Sequence, residues 1–124
     1  MELEDLTERV IGCGISVHRE LGPGFLETLY EKAMAIELRK HGLAAEVQKL
    51  VPIFYGNECI GEHRLDLLVE RAIVVELKAT KALEDVHFAQ VRSYLKACGL
   101  KHGLLLNFST MPLTIKRVLH GRPA

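Results

Sequence analysis

Two acids and a lysine interrupt the aliphatic run RLDLLVERAIVVELKA at residues 64–79: Asp66, Glu76 and Lys78. Around them Leu65, Leu67, Leu68, Val69, Ile73, Val74, Val75 and Leu77 are residue types of buried strands. The break Glu70-Arg71-Ala72 is short enough to be a hairpin loop. With Val69 paired to Ile73, Asp66 falls opposite Glu76 and Arg64 opposite Lys78. Two carboxylates so placed have Cβ atoms about 4.5–5.5 Å apart and repel unless something positive lies between them. A one-residue slip would separate them. Two arrangements answer the repulsion. A hard divalent cation, Mg²⁺ or Mn²⁺, suits such oxygens, polarises a phosphoryl oxygen and lowers the pKa of a bound water. Salt bridges from Lys78 to one acid and Arg64 to the other would balance the same charges with no chemistry at all. Spacing alone weighs the two evenly.

Other polar residues recur at helical spacing. Glu27 and Tyr30 share a helix face behind the loop Gly22-Pro23-Gly24-Phe25, although an acid so placed is more often simply solvated. His87, Gln90 and Tyr94 form a polar ribbon at spacings of three and four, beside an apolar stripe. Gln90 could bond a carboxylate or phosphate and Tyr94 could stack on a nucleotide, while His87 alone reads as a helix flank. The other five histidines show no metal-ligand spacing. The sequence holds no G-x-x-x-x-G-K-[ST] or G-x-G-x-x-G loop and no G-x-S-x-G elbow, which leaves nucleotide-hydrolase and serine-hydrolase readings without support.

The elements that must position these residues follow from periodicity. Leu6, Val10, Cys13 or Gly14, and Val17 make one stripe of a helix over 4–20, stopped by Gly22-Pro23-Gly24. A second helix runs over 26–41 to Gly42. Strands are expected over 46–55, 59–69 and 73–79, with a turn at Gly56-Asn57. A third helix over 83–98 buries Phe88, Val91, Leu95 and Cys98, and HGLLLNF at 102–108 reads as a central strand. Residues 113–119 fit an edge strand or a helix equally. Three antiparallel strands and a helical crossover to a fourth give a mixed sheet with helices on its faces, an α/β layered domain.

The 124 residues suit one domain, 1–124, with 48% hydrophobic and 26% charged residues as in folded globular chains. No apolar run approaches the roughly 20 residues a membrane span requires, and the acidic start MELEDLTERV is unlike a signal peptide. Cys13, Cys59 and Cys98 are odd in number and scattered, which suggests reduced thiols and a cytoplasmic protein. Net charge is zero, but no acid follows Asp85, whereas Arg92, Lys96, Lys101, Lys116, Arg117 and Arg122 do. Arg92 and Lys96 are thus candidate phosphate contacts; on charge alone a solvated basic face explains them better.

Taken in order, these motifs resemble a known group. Asp66, nine residues, then Glu76-Leu77-Lys78 is similar to the signature of the PD-(D/E)XK nuclease superfamily. Gly24-Phe25-Leu26-Glu27-Thr28-Leu29-Tyr30 resembles the motif of its GxxExxY branch, as do VELKA, His87-x-x-Gln90 and GLLLNF; Gln90-x-x-x-Tyr94 is similar to a motif of RecB-like nucleases. Leu65 stands where the superfamily name has proline. The resemblance implies a restriction-endonuclease-like fold and a metal-dependent nuclease acting on nucleic acid, DNA foremost; the small size and the missing DNA-recognition module argue for low or partner-directed specificity. It implies that Asp66, Glu76 and the Leu77 backbone carbonyl hold Mg²⁺ or Mn²⁺, and that Lys78 orients the attacking water. It further implies that Glu27 reaches the metal directly or through water, while Gln90 and Tyr94 position the metal shell or the nucleic acid. Two other classes fit the sequence: a catalytically silent nucleic-acid or protein-binding module on the same fold, and a small subunit that forms a homodimer through its apolar first helix.

Overall fold

The computed structural model describes residues 1–121; Arg122, one of the cations named above, lies outside the described residues. Helix α1 spans Leu3–Leu21 and α2 Glu27–Lys40; strands β1 (Ala45–Tyr55), β2 (Glu58–Val69) and β3 (Ile73–Lys78) follow, then α3 (Asp85–Cys98), β4 (His102–Asn107) and β5 (Thr114–Leu119). The undecided segment is therefore a strand. The sheet order is β1-β2-β3-β4-β5, with β3 and β4 parallel and all other neighbours antiparallel. The α3 crossover makes that one parallel pair possible.

Helices α1 and α2 cover one face of the sheet. Their stripes Leu6, Val10, Cys13 and Val17, and Tyr30, Met34 and Leu38, pack on Leu67, Val69, Ile73, Val75, Leu104 and Leu106. A Cβ on Gly14 would meet Leu106 Cδ1 at 3.1 Å, so the glycine lets α1 lie close on β4. Because α1 turns its apolar stripe into this core, that stripe is not the surface through which a homodimer could form. Helix α3 covers the other face, with Val91, Tyr94 and Leu95 on Val51, Leu65, Leu68, Val74, Leu105 and Val118. Phe88 and Cys98, expected in the buried stripe, are only partly buried at its edge.

The β2–β3 turn has the expected register, Val69↔Ile73, Leu68↔Val74 and Leu67↔Val75. Its left-handed residues are Glu70 (φ 53°) and Arg71 (φ 52°), closed by Ala72 N–H donating to Val69 O at 3.0 Å. Two consecutive positive φ values are the twist a tight hairpin needs, and neither falls on glycine. Glu70 compensates through its tie to Ala44: its carboxylate accepts Ala44 N–H at 2.6 Å and its own N–H donates to Ala44 O at 2.8 Å.

Candidate active site

The β2–β3 ladder ends at Leu67↔Val75, one step short of the acids, so Asp66 and Glu76 never become a regular cross-strand pair, nor do Arg64 and Lys78. The strands part there and the carboxylates fill the gap. Leu77 N–H donates to Asp66 Oδ2 at 2.9 Å, and Asp66 N–H donates to Glu76 Oε1 at 3.4 Å. Each acid thus stands in for a missing backbone acceptor. The cause is a kink. Leu65 packs in the α3 cluster and Leu67 under α1 and α2, although residues two apart on a regular strand share a face. The alternation slips at Asp66. Gln48, between the β1–β2 pairs Val47↔Leu67 and Lys49↔Leu65, is correspondingly unpaired, with φ 52°.

Glu76 is only 3% exposed. Burial first, then the hydrogen bond and charge of Asp66, push its pKa far above the carboxylate range, while Lys78 acts in the opposite sense. Among the described residues, neither Lys78 nor Arg64 closes an ion pair with either acid. The salt-bridge alternative is therefore not what these side chains adopt. Nor do three acid, histidine or cysteine side chains converge on one point among the described residues. Mg²⁺ does not require that: it is held by one or two carboxylates, with waters and substrate phosphates completing its shell. Two hard-oxygen acids, one of them desolvated and without a cation, fit such an ion.

Several neighbours frame the pair. Lys78 follows Glu76 by two on β3 and shares its face. Beyond β3, buried Asn107 holds the chain in place: its Oδ1 accepts Thr80 N–H at 3.1 Å and its Nδ2 donates to Thr80 O at 2.9 Å. From α3, Tyr94 is 6% exposed, and burial, then the charges of Glu76 and Asp66, raise the pKa of its hydroxyl. Gln90 lies one turn earlier on the same helix face and is exposed. Arg92 and Lys96 are exposed on α3. His87 is engaged locally: its Nδ1 accepts Glu84 N–H at 3.0 Å in the capping box of α3. Tyr30 is wholly buried, its ring stacked on Phe108 at 4.4 Å and its hydroxyl bonded to Gly22 O, so it shapes the 22–25 loop.

Glu27 is exposed at the first turn of α2. One turn on, half-buried Glu31 comes closer to the acids through a residue that the sequence did not single out. Gln48 Nε2 donates to Glu31 Oε2 at 2.6 Å and lies 3.5 Å from Asp66 Oδ1. Burial raises the Glu31 pKa, the Gln48 amide lowers it, and the charges of Asp66 and Glu27 raise it again. The only trace of this in the sequence is the i, i+4 spacing of Glu27 and Glu31; the kink that brings Gln48 between acids on α2 and β2 leaves none. His63, assigned no role above, packs its ring on Tyr94 with centroids 4.6 Å apart and bonds Ser93 Oγ at 2.9 Å.

A mixed five-stranded sheet, three helices and an acid pair at a parting of central strands define a restriction-endonuclease-like α/β domain. The family model of the PD-(D/E)XK nuclease superfamily matches residues 4–118, and the chain belongs to that superfamily. Among solved structures, a crystal structure of SSO0001 aligns at 19% identity and a TM-score of 0.60, over 77% of this chain and 50% of that one. The likeness shows the fold alone, and this chain spans half the length of that protein. No curated protein matches the sequence.

Proposed function

We propose that this chain is a single nuclease domain that hydrolyses phosphodiester bonds in nucleic acid, DNA foremost, with Mg²⁺ or Mn²⁺ as cofactor and with sequence choice weak or supplied by a partner. The observation that carries the reading is the acid pair: Glu76 buried beside Asp66, with no cation among the described residues in ion-pair contact. A fold gains nothing from burying two neighbouring acids unless something positive arrives. Asp66, Glu76 and the Leu77 carbonyl would hold the metal, which when bound supplies Lewis-acid polarisation of the phosphoryl oxygen and a more acidic water. Lys78, on the same face of β3, orients the attacking water and offsets the negative charge that develops on the phosphate. Gln48 fixes Asp66 against Glu31, and Glu27 acts from the rim through water. Tyr94 lends a hydroxyl to the floor of the site, and Gln90, one turn away, meets the phosphate.

A cleavage screen tests this over plasmid, linear, flapped and single-stranded substrates with Mg²⁺ or Mn²⁺. Wild type cuts at least one substrate; EDTA, Asp66→Ala, Glu76→Ala and Lys78→Ala each abolish cutting. Cutting that persists in Glu76→Ala would place the activity elsewhere. Metal binding without cutting of any substrate would make the chain a binding module on a nuclease fold.

A further inference from the structure

The acids do not account for a cleft on the α3 side of the sheet. It lies between the β1–β2 arm and α3, holds about 400 Å³, and is lined by Pro52, Ile53, Phe54, His63, Ser93 and Lys96. That volume suits a small-molecule-sized ligand. Its chemistry is divided: Pro52, Ile53 and Phe54 offer an apolar wall, while Lys96 and the His63–Ser93 pair offer polar groups. Among the described residues no carboxylate lines it. His63 forms the shared border with the acid pair, since its ring packs on Tyr94 and Tyr94 feels the charge of Glu76 and Asp66. Phe54 is 59% exposed, an aromatic face that the core leaves to solvent.

We infer that this cleft binds one unpaired nucleotide of the substrate strand, its base against Phe54 and its phosphate at Lys96. An apolar wall, an aromatic face and a lysine that among the described residues meets no acid match a base joined to a phosphate. Within a duplex both faces of a base are covered by its neighbours, so only an unstacked base can present one to Phe54. The cleft therefore selects single-stranded or frayed nucleic acid, with His63 and then Tyr94 between it and the acids. This rests on the nuclease reading for the identity of the ligand but not for its own test, which needs no cleavage.

Fluorescence anisotropy in EDTA measures binding of a labelled single-stranded DNA 12-mer, the same strand with abasic sites, and its duplex. Wild type binds the intact strand more tightly than the other two. Phe54→Ala, which removes an exposed ring and leaves no core cavity, weakens binding of the intact strand at least roughly fivefold, the low end for one stacked base. It leaves the abasic strand unchanged, and Phe54→Tyr restores the wild-type value. Equal affinity of wild type and Phe54→Ala for the intact strand overturns the inference, as does an equal loss on both strands or a failure to bind any of the three. Base discrimination in a protein that cuts nothing would retire the nuclease reading and keep the cleft. Cutting that is indifferent to Phe54 would do the reverse.

Discussion

Glu76 is a carboxyl that folding takes out of water with another acid for a neighbour, and its titration tests the site without any substrate. Burial and the neighbouring Asp66 raise its pKa in the native state well above the roughly 4.3 of the unfolded chain. Stability from this group is therefore complete below that value and is lost as pH rises toward the folded pKa of about 9. In EDTA the wild-type melting temperature should fall by several degrees relative to Glu76→Gln between pH 6 and pH 9, with the variant the more stable at pH 8. Assuming a millimolar site, about 10 mM Mg²⁺ should return roughly 1.4 kcal/mol to wild type, about 5 °C, and little to the variant. A destabilised Glu76→Gln together with an unresponsive wild type would sink the metal site. Gln48 gives a second test at this scale. Gln48→Ala removes the amide between Glu31 and Asp66, and supporting residues of this kind are worth about 10–100-fold in metal affinity or activity. Titration calorimetry with Mn²⁺ would read that loss, and an unchanged affinity would reduce Gln48 to a strand-kink residue.

Among the elements, α3 bears on the site through Tyr94, and its seat on the sheet depends on Gly103. A Cβ there would come within 2.8 Å of Val91 Cγ1 on α3. Gly103→Ala should cost about 1–3 kcal/mol in urea unfolding by overpacking, and Val91→Ala in the same chain should recover part of it. No cost in the single variant would mean that α3 moves aside freely. The elements themselves were legible because each has an apolar stripe of one period: Leu6, Val10 and Val17 on α1, and the continuous GLLLN of β4. The β2–β3 register was legible too, since the short loop allows little else. The kink at Gln48 and Asp66 was not. Strand reading assumes unbroken alternation, and the slip puts Leu65 and Leu67 on opposite faces with no glycine or proline to announce it. Glu31 stayed hidden for the same reason, because Gln48 joins it to Asp66 only once β1 is kinked. For residues 113–119 the neighbour decides: the edge of β4 was open, and Thr114–Leu119 pairs along it.

Across the whole molecule, formal charge cancels to zero, so attraction for a polyanion must come from how the charges are distributed and not from a net charge. The cations after Asp85 are not equivalent. Arg117 already grips Glu4 of α1, with both guanidinium nitrogens 3.0 Å from its carboxylate oxygens, and that contact holds the Glu4 carboxyl below its usual range. Arg92 and Lys96 are exposed one turn apart on α3, make no ion pair among the described residues, and share that helix with Tyr94. Each phosphate neutralised contributes roughly 0.7–0.9 to the log–log slope of affinity against salt. Reversing both, Arg92→Glu with Lys96→Glu, should therefore flatten the slope for a single-stranded oligonucleotide in EDTA by about 1.4, at roughly 0.7 per phosphate of a single strand. Arg117→Glu should leave it unchanged, because Glu4 and not a phosphate is its partner. A slope that survives the double reversal would make Arg92 and Lys96 a solvated face. A slope that falls with Arg117 instead would move the nucleic-acid path to the opposite side of the sheet, along α1 and β5.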